Sequence, residues 1–173
     1  MRILDIILTY DYYLMLLSFL ITLYGGSLLI YNRYWKYDYS YKRTMVGAIL
    51  VLQSFFCVFG LLRLELYFIT KARQELRAVL DQPDLIVRIN RYDVGDKQSQ
   101  EIIDELKYSG FNKSTRSRPT KKDVLQIIDE NNTIILTARR DSKDKTDYYI
   151  YYHGYSFTKN SSIGRIKTTS LIL

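Results

Sequence analysis

The sequence has little of the chemistry on which most enzymes and metal proteins depend. Its 173 residues include one cysteine, Cys57, and one histidine, His153. A single cysteine excludes an intrachain disulfide and a zinc cluster built from cysteines. A metal site at His153 would need carboxylates at helical spacing from it, and the sequence has none there. We therefore predict neither a metal site nor a cofactor.

Catalytic motifs are equally scarce. The sequence has no P-loop and no G-x-G-x-x-G fingerprint. Ser156 and Lys159 fit the S-x-x-K pattern of acyl-transfer enzymes, but the companion motifs are missing. We therefore predict a non-enzymatic protein without catalytic residues.

Two long stretches lack charge altogether. Residues 12–31 and residues 44–62 contain no Asp, Glu, Lys or Arg. A hydrocarbon core about 30 Å thick is crossed by about 20 apolar helical residues. A cleaved signal peptide explains the first stretch poorly, because Asp5 and Asp11 precede it and no small-x-small cleavage site follows. We predict two transmembrane helices, which the short link between them makes antiparallel.

Aromatic residues flank these apolar stretches. The link at residues 32–43 mixes tyrosines and the only tryptophan with four Lys and Arg residues. Such a mixture also occurs in nucleic-acid patches, but its position between two spans favours an aromatic belt at the membrane interface. The predicted interface residues are Tyr10, Tyr12, Tyr13, Tyr34, Trp35 and Tyr37.

The second span is predicted to continue beyond the membrane as an amphipathic stalk. Apolar residues recur near one helical face through residue 80, and Pro83 ends the pattern. The stripe consists of Leu66, Ile69, Leu76, Val79 and Leu80. A stripe of this kind needs a partner, either the soluble domain or a second copy of the chain.

The remaining residues predict a small α+β domain with an antiparallel sheet. We expect strands at 85–91, 133–139, 147–155 and in the tail at 163–173, with a helix at 97–108. Thr120 and Asp123 resemble a capping box, which predicts a second helix through residue 128. The expected fold is a membrane α-helical hairpin of two transmembrane helices plus this domain, divided as 1–43, 44–82 and 83–173.

A tyrosine-rich strand offers the best predicted binding surface. Alternation along DYYIYYHGY places one row of tyrosines on the helices and leaves the other row free. Aromatic rings beside cations can stack a base and hold its phosphate. The alternative is that the tyrosines only cover the sheet while the cations keep it soluble. The candidate residues are Tyr149, Tyr151, His153, Tyr155, Arg139, Arg140, Arg116 and Arg118.

In architecture the chain is similar to small bacterial membrane proteins of conflict systems, in which a two-helix anchor carries a sensing or binding domain. This resemblance implies a membrane-acting defence effector whose basic domain binds a signal or partner. The expected partners are the lipid bilayer, a protein or a second copy bound through the hairpin and stalk, and a nucleotide or nucleic acid.

Two other functions remain open at this point. One is a toxin-immunity or phage superinfection-exclusion protein that acts by direct contact, and the other is a structural or assembly subunit of a larger membrane complex. For all three we expect a multi-pass protein of the bacterial inner membrane. The basic soluble domain, and the ease of inserting a short hairpin with both ends inside, favour a cytoplasmic domain, although Lys and Arg flank both ends of the spans in nearly equal number.

Overall fold

The computed structural model describes residues 2–34, 41–83, 85–108, 118–129 and 132–171. The chain divides into two compact units, Met1–Leu66 and Tyr67–Leu173. The first unit is helical and the second is built around a sheet. One helix runs through the boundary and contributes to both units.

The first unit contains the two apolar helices expected from the sequence. A short helix, α1 (Arg2–Thr9), precedes α2 (Asp11–Tyr34) and α3 (Tyr41–Leu80). Helices α2 and α3 are each long and apolar enough to cross a membrane, and only 11% of each apolar window is buried within the chain. The predicted pair of long apolar helices is confirmed, and most of their apolar surface faces outward.

Close packing of α2 on α3 is centred on two glycines. The buried residues of α2 are Ser18, Gly25 and Asn32, which follow one another at intervals of two helical turns. A Cβ atom on Gly25 would lie 2.9 Å from the carbonyl oxygen of Gly47. Further along, the Asn32 Nδ2 donates to Thr44 Oγ1 at 2.7 Å. The hairpin thus combines a backbone approach that only glycine permits with one buried polar contact.

Helix α3 continues beyond its apolar stretch. Helix α3 has 40 residues, a length of about 60 Å at 1.5 Å per residue. We use the term stalk for residues 67–80 of this helix. Phe68, Ala72, Leu76 and Leu80 within it are fully buried. The sheet unit therefore supplies the partner that the apolar stripe requires, whereas Leu66 of the predicted stripe is exposed.

The second unit is a six-stranded antiparallel sheet with the strand order β2-β1-β3-β4-β5-β6. Helix α4 (Asp96–Tyr108) and a short 3-10 helix, η1 (Phe157–Lys159), complete the described elements. The strands are β1 (Ile86–Ile89), β2 (Tyr92–Asp93), β3 (Pro119–Ile128), β4 (Thr133–Asp141), β5 (Asp147–Tyr152) and β6 (Gly164–Lys167).

One face of the sheet carries the hydrophobic core. Alternate residues of the strands, such as Leu125, Leu136 and Ile150, share a single buried cluster with the stalk and α4. Helix α4 contributes Ile102, Ile103 and Leu106 to this cluster. The core thus lies between the sheet and these two helices, and the other face of the sheet carries different chemistry.

The prediction of a helix at Thr120–Ile128 is wrong, because this segment is strand β3. Its burial alternates from Asp123 onward, and it pairs with both β1 and β4. Thr120 does not cap a helix; its Oγ1 donates to the Arg140 carbonyl oxygen at 3.0 Å. Pairing on both edges satisfies the backbone groups that a helix would otherwise satisfy internally.

Strand β2 was also not expected from the sequence. Asn90 and Arg91 adopt positive φ angles of 50° and 76°, as a two-residue hairpin turn requires. The Asn90 side chain stabilises this turn by accepting a hydrogen bond from the Val124 backbone N–H at 2.9 Å. The turn therefore depends on β3, which is distant in sequence.

The aromatic residues predicted for a membrane interface are only partly within the described chain. Tyr10, Tyr12, Tyr13 and Tyr34 are exposed at the ends of α1 and α2. Trp35 and Tyr37 lie outside the described residues. Their placement at an interface remains a prediction.

The glycine contact predicts different effects for neighbouring glycines in α2. We expect Gly25→Ala to destabilise the hairpin by about 1–3 kcal/mol, because the new methyl group overpacks the Gly47 backbone. Gly26→Ala is the matched control, since a Cβ atom there meets nothing within 4 Å. Reversible unfolding in mixed micelles measures both, and equal stabilities would contradict the packing.

Candidate binding face of the sheet

The face of the sheet opposite the stalk and α4 is rich in arginine and tyrosine. Strand β5 directs Tyr148 and Ile150 into the core and Tyr149 and Tyr151 to this opposite face. We call it the arginine face, defined by Lys122, Thr137, Arg139, Tyr149, Tyr151 and Arg165.

Strand register sets out a row of cations across this face. Lys122 lies directly opposite Arg139, and Arg139 lies opposite Tyr149. Tyr149 in turn lies opposite Arg165 of β6. Side chains that are direct cross-strand neighbours have Cβ atoms about 5 Å apart. The register therefore brings three cations and one aromatic ring from four strands into one line.

Both arginines stack on tyrosine rings. The Arg139 Cζ lies 4.6 Å from the centroid of the Tyr151 ring, and the Arg165 Cζ lies 4.5 Å from that of Tyr149. Both tyrosines are buried, since Tyr149 is only 4% exposed and Tyr151 only 6%. Their rings are therefore not free to stack a base. They act instead as a platform that orients the guanidinium groups.

Arg165 is neutralised by carboxylates of its own face. Its Nη2 contacts the Asp141 carboxylate and lies 3.1 Å from Asp147 Oδ2. Arg165 and Asp141 are both buried, so the ion pair is largely desolvated. Asp141 also accepts from the Lys143 backbone N–H at 2.7 Å. This group of charges therefore holds β6 and the β4–β5 turn together.

Arg139 has a different environment from Arg165. Among the described residues, no carboxylate pairs with it, whereas Arg165 pairs with Asp141 and Asp147. Lys122 and Lys159 likewise have no carboxylate partner within the described chain. His153 stands beside them, with its Nε2 2.9 Å from Thr137 Oγ1.

His153 lies within the electrostatic reach of Lys122 and Lys159. Burial lowers the pKa of His153, and the positive charges of Lys159 and Lys122 lower the pKa further. We call Lys122, Arg139, His153 and Lys159 the cationic cluster. With a neutral histidine it carries three positive charges, and it can attract and orient an anion.

The core face has its own polar contact, between the stalk and the end of β5. The hydroxyl of Tyr152 donates to Glu75 Oε2 at 2.9 Å, and the hydroxyl of Tyr155 donates to the other oxygen of the same carboxylate. Burial, followed by the bond to Glu75, raises the pKa of both phenols. The Phe68 ring packs edge-on against Tyr155. These contacts attach the stalk to the sheet.

The residues predicted from the sequence therefore separate into two groups. The first group lies together on or beside the arginine face and consists of Tyr149, Tyr151, His153 and Arg139.

The second group lies on the core side. Tyr155 is there because β5 ends at Tyr152 and the chain turns. Arg140 also faces the core side, where its Nε donates to the Tyr148 hydroxyl at 3.1 Å.

Two predicted arginines remain apart from this arrangement, and several residues of the face were not predicted. Arg118 is exposed at the start of β3, and Arg116 lies outside the described residues. Sequence reasoning did not assign Thr137 or Arg165 to this face, and it did not place Lys159 beside it. Alternation within β3 and β6 would have placed Lys122 and Arg165, had the strand pairing been known.

The described part of the chain contains no set of side chains that could bind a metal ion. No three His, Cys, Asp or Glu side chains there come close enough together to hold an ion. The cationic cluster would also repel a metal ion. Cations such as those of the arginine face can bind negatively charged groups.

In comparisons with known proteins, no family model, no curated protein sequence and no solved structure matches this chain. The role of the arginine face must therefore be argued from its own geometry.

The buried ion pair predicts a strong effect of Asp141→Asn. This change leaves Arg165 buried with reduced compensation, and we expect a loss of about 3 kcal/mol in the free energy of unfolding. Lys167→Gln is the control, because Lys167 pairs with Asp144 at 3.4 Å in an exposed position. Denaturant unfolding compares them, and a loss in Asp141→Asn no larger than in Lys167→Gln would contradict a structural role.

The lowered pKa of His153 predicts a pH dependence of stability. The unfolded chain binds a proton at His153 more readily than the folded chain, so this histidine makes stability fall as pH drops through about 6.5. We expect His153→Gln to reduce the loss of stability between pH 7.5 and 5.5. Thermal unfolding at both pH values tests this, and an unchanged pH dependence in the variant would contradict it.

Proposed function

We propose that the chain is a non-enzymatic, multi-pass integral membrane protein in which α3 transmits binding at the sheet unit to the bilayer. The proposal extends to a membrane-acting effector of a defence system. One observation carries it: α3 is a single helix whose first half is apolar on all sides and whose second half belongs to the core of the sheet unit.

The surface chemistry of the hairpin supports membrane insertion. Large apolar side chains on α2 and α3 are exposed all around the helices, including Phe19, Leu23, Phe55, Phe56 and Phe59. Soluble proteins rarely expose contiguous apolar surface on this scale, because each buried Leu or Phe is worth about 1.5–3 kcal/mol. A lipid environment removes that penalty, and internal helical hydrogen bonds satisfy the backbone there.

The contacts of the stalk support transmission to the sheet unit. Phe68, Ala72 and Leu76 are fully buried, and Glu75 accepts hydrogen bonds from both Tyr152 and Tyr155. A rotation or shift of the sheet unit would therefore move the stalk with it. Helix continuity would carry such a movement into the span, where it can alter hairpin packing or self-association.

The proposed location is the bacterial inner membrane, with the sheet unit in the cytoplasm. Both ends of a two-span hairpin face the same side, and the sheet unit carries the cationic cluster. A cytoplasmic position places these charges on the side that positive residues favour. It also gives them access to intracellular anions and proteins.

The test of this proposal is expression of the full chain in bacteria under an inducible promoter. An effector is expected to arrest growth and depolarise the membrane, and Leu66→Pro should abolish both effects by breaking α3 where it passes between the units. Leu66→Ala is the matched control because Leu66 is exposed and alanine preserves the helix. Both variants should stay in the membrane fraction.

Other outcomes of the same experiment would contradict the effector proposal. Harmless expression with resistance to a phage or toxin would indicate an immunity or superinfection-exclusion protein. Harmless expression with a stoichiometric membrane partner on purification would indicate a structural subunit. Growth arrest that survives Leu66→Pro would contradict transmission through α3.

A further inference from the structure

We propose that the cationic cluster is a binding site for a small phosphate-bearing anion, with the Arg139 guanidinium as its main contact. This assignment rests on the proposed function for its biological role, because it names the class of signal that the sheet unit would bind. The binding itself follows from the arginine face alone.

The two stacked arginines differ in their charge partners. Both lie over tyrosine rings at nearly the same distance, 4.6 Å for Arg139 and 4.5 Å for Arg165. Arg165 has two carboxylates within reach, on Asp141 and Asp147. Within the described chain Arg139 has none. The fold neutralises one guanidinium with its own acids and leaves the other to an external anion.

The neighbours of Arg139 carry positive charge as well. Lys122 lies directly opposite it across β3 and β4, and like charges in such pairs destabilise a sheet. Lys159 adds a third positive charge near His153. No carboxylate among the described residues offsets these three charges. A ligand with two or more negative charges would relieve this repulsion.

The geometry favours phosphate over a single carboxylate. The Tyr151 ring stacks against one face of the planar Arg139 guanidinium. The N–H groups at the guanidinium edge are therefore oriented before a ligand arrives. Planar forks of this kind bind phosphate oxygens in pairs, and the two lysines add point charges. The three positive charges match the charge of a pyrophosphate or nucleoside polyphosphate group.

The same geometry favours a small ligand over a nucleic acid strand. Tyr149 and Tyr151 are covered, so the face lacks the exposed aromatic rings on which successive bases stack. On the arginine face, the two cations that form no ion pair within the described residues, Lys122 and Arg139, lie directly opposite each other. The ligand is therefore expected to be held by its phosphates, with base recognition playing no part on this face.

The experiment uses the full chain in nanodiscs of neutral phosphatidylcholine. Titration calorimetry with pyrophosphate and with ATP should show saturable binding that weakens as salt rises. We expect Arg139→Gln to weaken pyrophosphate binding at least tenfold and Lys122→Gln to weaken it severalfold. Lys145→Gln is the control, since it removes the same charge from an exposed position in the β4–β5 turn and should leave binding unchanged.

A stability measurement separates a binding role of Arg139 from a structural one. Without ligand, Arg139→Gln should change the stability little, because the loss of stacking on Tyr151 is offset by the removal of like-charge repulsion from Lys122. Pyrophosphate should raise the Tm of the unmodified chain and leave that of Arg139→Gln unchanged. A large loss of stability without ligand would show that Arg139 is structural and would overturn the proposal.

Further arms identify other sources of negative charge. Vesicles with phosphatidylglycerol and single-stranded oligonucleotides are tested against the same variants. Binding only to the vesicles or only to the oligonucleotides would overturn the small-anion assignment, as would no binding of pyrophosphate or ATP at millimolar concentration. Pyrophosphate binding without growth arrest would instead contradict the proposed function and leave the anion site intact.

Discussion

Helix α3 has 40 residues; its first half is apolar on all sides, and its second half is apolar on one side only. The two halves therefore need two different environments. The environment of the second half is the protein itself, because the stalk buries Phe68, Ala72, Leu76 and Leu80 within the sheet unit. The first half has no such cover, since most of its apolar window remains exposed. The proposed membrane location and transmission through the helix both depend on this division of α3.

The two faces of the sheet have separate roles in this account. The core face holds α4 and the stalk and adds the bonds from Tyr152 and Tyr155 to Glu75. On the arginine face, Arg165 pairs with two carboxylates, whereas Arg139 forms no ion pair within the described residues, although both stack on tyrosine in the same way. Binding on one face and attachment to α3 on the other are therefore only one sheet thickness apart.

The sequence predicted those parts of the fold that depend on local pattern. Continuous apolar runs identified α2 and α3, and Pro83 marked the end of the stalk. Alternation identified β4 and β5, including the opposite directions of Tyr148 and Tyr149. Residues 120–128 were misassigned because their apolar positions fit both a helical and a strand period, and pairing with β1 and β4 decided between them.

The candidate site was less predictable because its contacts connect distant parts of the chain. Alternation predicted the side of the sheet on which Tyr149 and Tyr151 lie. It could not predict that the arginines cover their rings. Asp141 and Arg165 are 24 residues apart, and the β4–β5 and β5–β6 registers together bring them into contact. The difference between Arg139 and Arg165 therefore could not be predicted before the strand order was known.

The central claim is that α3 passes as one helix from the bilayer into the core of the sheet unit. The most direct measurement is thiol labelling of single-cysteine variants along residues 44–80 in native membranes, with Cys57 replaced by serine. If residues 44–62 lie in the bilayer, cysteines at these positions should not be labelled. Beyond residue 66, labelling should repeat with a helical period, with Thr70, Gln74 and Ala78 reactive and Phe68, Ala72 and Leu76 protected. Uniform labelling across 44–62, or the absence of a helical period in the stalk, would contradict it.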